Sequence, residues 1–149
     1  MQIKKPLLNL DHVRTPEQQV LMKKIESDGV CPFCAKHFKK YHPKPILKET
    51  DHWFFTENMS PYAGTKYHFI LVFKKKHVTK IEEISPKAMT DLLAILKWAV
   101  KKYKFPGGAF FMRFGDTKYT GSSVAHLHAH LLMGDNDDPK HESVRVKLG

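Results

Sequence analysis

The sequence predicts an α+β fold with a mostly antiparallel sheet. Two observations lead there. Strand-like runs outnumber helical patterns, and the helical patterns lie outside any regular strand–helix alternation.

The elements follow in chain order. Thr15-Pro16-Glu17-Gln18 reads as a helix start, with Thr15 as cap, Pro16 at the first helical position and Gln18 completing a capping box. Val20, Leu21, Lys24 and Ile25 follow at helical spacing, and Asp28-Gly29 ends the helix. Residues 35–45, with Pro43 and Pro45, read as a loop. Residues 46–57 read as two short strands around a turn at Asp51, and 58–64 as a loop. His68–Phe73 is rich in β-formers and reads as a buried strand. Ser85-Pro86 opens the strongest helix, whose apolar stripe is Met89, Leu92, Leu93, Leu96, Ala99, Val100 and Tyr103. Pro106-Gly107-Gly108 closes it. Ala109–Phe114 is a further strand, Gly115–Ser122 a polar loop, and Val124–Met133 a strand with His at alternate positions. Glu142–Leu148 alternates like an edge strand, or is a disordered tail.

Composition bounds the rest. The chain has 149 residues, 42% of them hydrophobic and ten of them Phe, enough for a core in one domain. No stretch approaches the roughly 20 apolar residues of a membrane span. Met1 to Pro6 lacks a continuous apolar region and does not read as a signal peptide, so the expected location is the cytoplasm. Lys+Arg number 25 against 15 Asp+Glu, a formal charge of +10. Such a surface serves solubility, or meets a partner carrying phosphates. The two cysteines stand together as Cys31-Pro-Phe-Cys34; in a cytoplasmic protein that spacing suggests metal binding or redox chemistry rather than a disulfide.

The segment His126-Leu-His128-Ala-His130 is the most informative. On a strand, residues two apart share a face, about 6.5 Å from one another. Three imidazoles then line one side while Leu127, Ala129 and Leu131 pack on the other. A core has little use for such a row, because each ring brings a polar nitrogen needing a partner. A solvent-exposed strand face and a three-His metal site are the alternatives. Imidazole is also a nucleophile that titrates near neutral pH. The preceding Gly121-Ser122-Ser123 can approach and donate to phosphate, or is an ordinary Gly-Ser turn.

Gly121-Ser-Ser-Val-Ala-His-Leu-His-Ala-His-Leu-Leu132 resembles the signature of the histidine-triad (HIT) superfamily. His68–His77, followed by Ile81-Glu-Glu-Ile84 and the long helix, is similar to the family's central strand and helix. Cys31-Pro-Phe-Cys34 matches the cysteine pair of many members. The blocks stand in family order over roughly residues 30–134. The resemblance implies a HIT-like sheet of five or six strands with a long helix packed on it. The whole chain is then one domain, with residues 1–29 a helical extension and 135–149 a tail or edge strand.

The resemblance also implies roles. His128 would be the nucleophile, attacking the α-phosphate of an adenine nucleotide derivative to form a nucleotidyl-histidine. Water or another acceptor then resolves it, making the protein a hydrolase or a transferase. His130 would contact the phosphate and help the leaving group, and Ser123 would donate to a phosphate oxygen, with Ser122 beside it. Zinc would be held by Cys31, Cys34, His77 and His126, with His37 and His42 as rival ligands; two Cys and two His suit a closed tetrahedral site. Asn58 would meet the ribose, and Phe33 and Met59 would line the base pocket, unless they are plain core. A homodimer is the family expectation.

The sequence departs from the pattern in places. Ser122 stands where many hydrolase members have Gln, and Arg113 where Asn is frequent. Asn58-Met-Ser-Pro-Tyr62 resembles the branch with diadenosine tetraphosphate phosphorylases. The leaving group, whether of a phosphoramidate or a dinucleoside polyphosphate, stays open. An aprataxin-like enzyme acting on nucleic-acid ends and a non-catalytic nucleotide-binding module are the rival readings.

Overall fold

The structure is a computed structural model, and it describes residues 5–149. Part of the segment read as lacking a signal peptide, residues 1–4, lies outside the described residues. Helix α1 spans Pro16–Asp28 and α2 Ala35–Tyr41. Strands β1 (Ile46–Glu49), β2 (Trp53–Glu57) and β3 (Thr65–Phe73) lead to helix α3 (Pro86–Lys102), strand β4 (Ala109–Arg113), the single turn α4 (Thr117–Thr120) and strand β5 (His128–Gly134). The five strands form one antiparallel sheet in the order β1-β2-β3-β5-β4, so the α+β expectation holds. No helix among the described residues is long and apolar enough to cross a membrane.

Helix α1 starts as its sequence dictates. Thr15 Oγ1 accepts from the backbone N–H of Gln18, and Gly29 ends the helix in the left-handed conformation, φ 67°. Gln18 does not complete a capping box on Thr15; its amide oxygen accepts from the N–H of Arg14 instead. The buried face carries Met22 and Ile25, while Val20 is exposed.

Several segments depart from the sequence reading, among them Thr117–Thr120, a helical turn inside the expected polar loop. Residues 35–41 form α2 rather than a loop, because Phe38 and Tyr41, three positions apart, bury on one side of a Lys-rich turn. The expected strand from Val124 begins only at His128. Before it, Ala125 N–H donates to Leu7 O at 2.8 Å and Leu127 N–H to Val78 O at 2.8 Å. These residues pair with the N-terminal segment and the stretch after β3, so His126 precedes the ladder. The closing segment forms no strand among the described residues, yet it packs. A Cβ on Gly64 would stand 2.5 Å from the carbonyl of Glu142, and one on Gly121 2.3 Å from that of Lys147.

The alternation of β3 and β5 divides the molecule. Phe69, Leu71, Ala129 and Leu131 face α3, which contributes Ala88, Leu92, Ile95 and Ala99. Trp53 Nε1–H donates to Ala88 O at 2.8 Å and pins α3 to β2. Of the stripe read from the sequence, Met89, Leu93 and Val100 remain exposed, and Ala88 and Ile95 take the core positions. The other sheet face carries Ile70 and Val72 under α2's Phe38. On that face the paired registers Ile70↔His130 and Val72↔His128 place two of the three imidazoles.

Candidate functional site

Cys31 and Cys34 are brought together by the turn before α2, in which Cys34 N–H donates to Cys31 O at 3.3 Å. Both thiols are free. Burial, then the neighbouring Cys34, pushes the Cys31 thiol up to about 12. His126 Nδ1 lies 3.4 Å from Cys31 Sγ, 3.9 Å from Cys34 Sγ and 3.3 Å from His77 Nδ1, and His77 Nδ1 lies 3.4 Å from Cys34 Sγ. Ligand atoms around tetrahedral zinc stand about 3.3–3.8 Å apart, given bond lengths of about 2.0–2.3 Å. The donor set therefore has the spacing of a closed metal site, with its four ligand atoms inside 4.8 Å. His126 is oriented for it: Nε2–H donates to Phe73 O at 2.5 Å, so the lone pair is on Nδ1. The rivals stand elsewhere. His37 is not in the group, and His42 donates from Nε2 to Thr56 Oγ1 at 2.8 Å. Thr56 can accept there because its own proton goes to Pro45 O.

His128 is buried at the floor of a cavity. Its Nδ1–H donates to the carbonyl of His126 at 2.6 Å, which leaves the lone pair on Nε2. Burial holds the ring far below its ordinary value, at about 3, so it is neutral at physiological pH. The Phe33 ring meets it edge-on at 5.1 Å.

His130 is set by a relay. The backbone N–H of Tyr62 donates to His68 Nδ1 at 3.1 Å, so His68 carries its proton on Nε2. That proton is directed at His130 Nδ1, 2.8 Å away. His130 then carries its proton on Nε2, a buried donor with no partner among the described residues. The ring is held between Phe111, stacked at 4.6 Å, and Tyr62 at 5.9 Å. Burial lowers both rings, His68 to about 3.

The two serines differ. Ser122 Oγ is buried, donating to Val124 O at 2.7 Å and accepting from Val124 N–H at 3.1 Å. Ser123 lines the cavity, and its hydroxyl is uncommitted among the described residues. Gly121, with φ 71°, lets the turn pass under the closing segment. Asn58, Met59 and Phe33 also line the cavity. The Asn58 amide oxygen is taken by Ser60 N–H at 2.7 Å, and its nitrogen lies 3.2 Å from His68 Nε2.

Several wall residues were not singled out as site residues from the sequence. His12, Arg14, Gln18 and Met22 come from the N-terminal extension. His12 Nδ1–H donates to Ser122 O at 2.9 Å, tying that extension to the Gly-Ser turn. No motif marks these residues as part of a site. His68 and Arg113 carried a usable signal, since each shares the sheet face of His128 and His130.

Residues 39–137 match the family model described as HIT domain. The chain is similar to a HIT family hydrolase from Clostridium thermocellum, at 26% identity over 70% of this chain and 91% of that one, TM-score 0.51. It is similar to a histidine triad protein from Clostridium difficile, at 25% identity over 70% and 90%, TM-score 0.51. It shares its fold with a Zn-bound histidine triad family protein from Mycobacterium smegmatis, at 18% identity over 79% and 84%, TM-score 0.55. Comparison with curated protein sequences gave no match.

Proposed function

The chain belongs to the HIT domain family, and from that premise we propose that it is a nucleotide hydrolase or nucleotidyl transferase with His128 as nucleophile. The observation that carries this reading is the hydrogen bond from His128 Nδ1 to the His126 carbonyl, which leaves Nε2 as a neutral lone pair in the cavity. Nε2 attacks the α-phosphorus of an adenine nucleotide derivative. The bond to the leaving group breaks, and that group takes the electron pair. His130 Nε2–H and Ser123 Oγ–H donate to the phosphate oxygens. An acceptor, water for a hydrolase, then attacks phosphorus, the P–N bond breaks, and its proton passes to solvent as neutral His128 is restored. Phe33 and Met59 form the apolar wall for the base, and Asn58 stands near the ribose.

Cys31, Cys34, His77 and His126 would hold zinc, the ion that suits two thiolates and two imidazoles. Zinc held there would supply rigidity, and His126, held by it, would stiffen the carbonyl that orients His128. Reduced thiols fit the cytoplasm. A homodimer is supported by the outer position of β4, with Phe110 exposed, and by exposed Leu93 and Val100 on α3.

The test is labelling with α-phosphate-labelled substrate followed by rapid quench. Wild type should give an acid-labile protein adduct and turnover, and His128→Ala neither, while retaining nucleotide affinity. A fully active His128→Ala protein rules the mechanism out. A wild type that binds nucleotide without labelling or turnover makes the protein a nucleotide sensor.

A further inference from the structure

Resting on the reading of His128 as nucleophile, we propose that Arg113, with Arg14 at the rim, clamps phosphates beyond the α-phosphate, so that the site selects leaving groups that are phosphate chains over amines. Arg113 is directly opposite His128 across the β4–β5 ladder, and residues paired in this way point to the same sheet face. Its side chain is 5% exposed and lines the cavity. Two of its five N–H donors are committed, Nη1 to Lys147 O at 3.1 Å and Nη2 to Tyr62 OH at 2.8 Å. Both acceptors are neutral.

Arg14 stands close by, its guanidinium 4.4 Å from the centre of the Tyr62 ring and donating to Ser60 O. Tyr62 thus carries one guanidinium on its hydroxyl and another over its face. No Asp or Glu lines the cavity, and neither arginine forms an ion pair among the described residues. Residues 1–4 contain no carboxylate to supply one. A buried cation is ordinarily paired, since desolvating it alone is costly. Here the missing counter-charge is an anion that enters with the ligand. His130 and Ser123 offer donors to the α-phosphate beside His128, and the guanidiniums of Arg113 and Arg14 are left for the rest of the substrate.

The chemistry separates two kinds of leaving group. When Nε2 of His128 bonds to the α-phosphorus and the P–O bond to a β-phosphate breaks, the oxygen leaves with the electron pair as an anion. A guanidinium stabilises that charge without proton transfer. When a P–N bond breaks, the amine needs a proton, and a guanidinium does not give one up.

The experiment compares diadenosine tetraphosphate with adenosine 5′-phosphoramidate, which share the adenosyl end. Wild type should show the higher kcat/KM on the tetraphosphate. Arg113→Gln should lower the ratio of the tetraphosphate value to the phosphoramidate value by about 10–100-fold. Arg113→Lys should recover part of the loss. Because each variant is measured on both substrates, a general folding defect cancels in the ratio. If Arg113→Gln does not fold, Arg14→Gln on the exposed rim should shift the ratio in the same direction. Equal losses on both substrates, or a wild type that prefers the phosphoramidate, overturn the proposal while leaving nucleophilic His128 standing. Turnover and labelling with neither substrate remove the underlying reading and this inference with it.

Discussion

His126 and His128 are joined through the backbone: the carbonyl of His126 accepts from His128 Nδ1 at 2.6 Å, while the imidazole of His126 faces two thiols and His77. Under the proposed function, metal binding and nucleophile orientation would therefore share one residue. The first prediction follows. Metal analysis should find about one zinc per chain, and Cys34→Ala should lose it, with a drop in stability of several kcal/mol, on the order expected when metal binding energy is folding energy. Unfolding with and without a chelator measures this, and metal-free wild type of unchanged stability would refute it.

The Gly-Ser turn separates its two hydroxyls. Ser123→Ala should raise the barrier by about 1–3 kcal/mol in kcat/KM, the cost of removing a donor to a charged oxygen. Ser122→Ala should have the smaller kinetic effect, because its hydroxyl is bonded to Val124. A thermal melt of that variant should instead report the loss. Unchanged turnover in Ser123→Ala would sink the assignment.

His68 fixes the proton of His130 without standing in the row of three. His68→Phe should reduce kcat by roughly 10-fold, since the donor on His130 Nε2 is no longer enforced. The discriminating measurement is the ¹⁵N shift of the His130 ring, which should move from one tautomer to a mixture. A purely packing role would leave that shift in place.

Stability should fall on acidification. Burial holds His42 at about 4, below its unfolded value near 6.5, so between those values the unfolded chain binds the extra proton. The contribution is complete above about pH 6.5 and is lost as pH falls towards 4. Allowing for partial solvent screening, about 1 kcal/mol should go between pH 7 and pH 5. His42→Gln should flatten that part of the profile. Equal pH dependence in variant and wild type would exclude His42 as its source.

Much of this was legible in the sequence because it rests on short-range pattern. Thr15 and Ser85 capped their helices, Asp51 turned a hairpin, and the alternation of β5 set His128 and His130 on one face. Cys31, Cys34, His77 and His126 converge as the resemblance implied. What escaped was set by distant partners. His126 lies outside the ladder because Leu7 and Val78 claim its neighbours' backbone. The burial of Met22 rather than Val20 depends on Leu8 and Val124, which no local period reveals. Arg14 and His12 reach the cavity only because the chain from residue 5 to α1 folds back onto the Gly-Ser turn.

The cysteine turn has a consequence for the order of assembly. Cys31 and His126 are 95 positions apart, so bringing them together in an open chain carries an entropy cost on the order of 4 kcal/mol. The sheet and α3 share a core to which α1 contributes nothing, and that core already closes most of this loop. An ion captured by the four donors would therefore arrive late and act as a rivet. Stripping it should loosen α1 and the cysteine turn as a cooperative unit of its own, while amide protons of β3 and β5 stay protected from exchange.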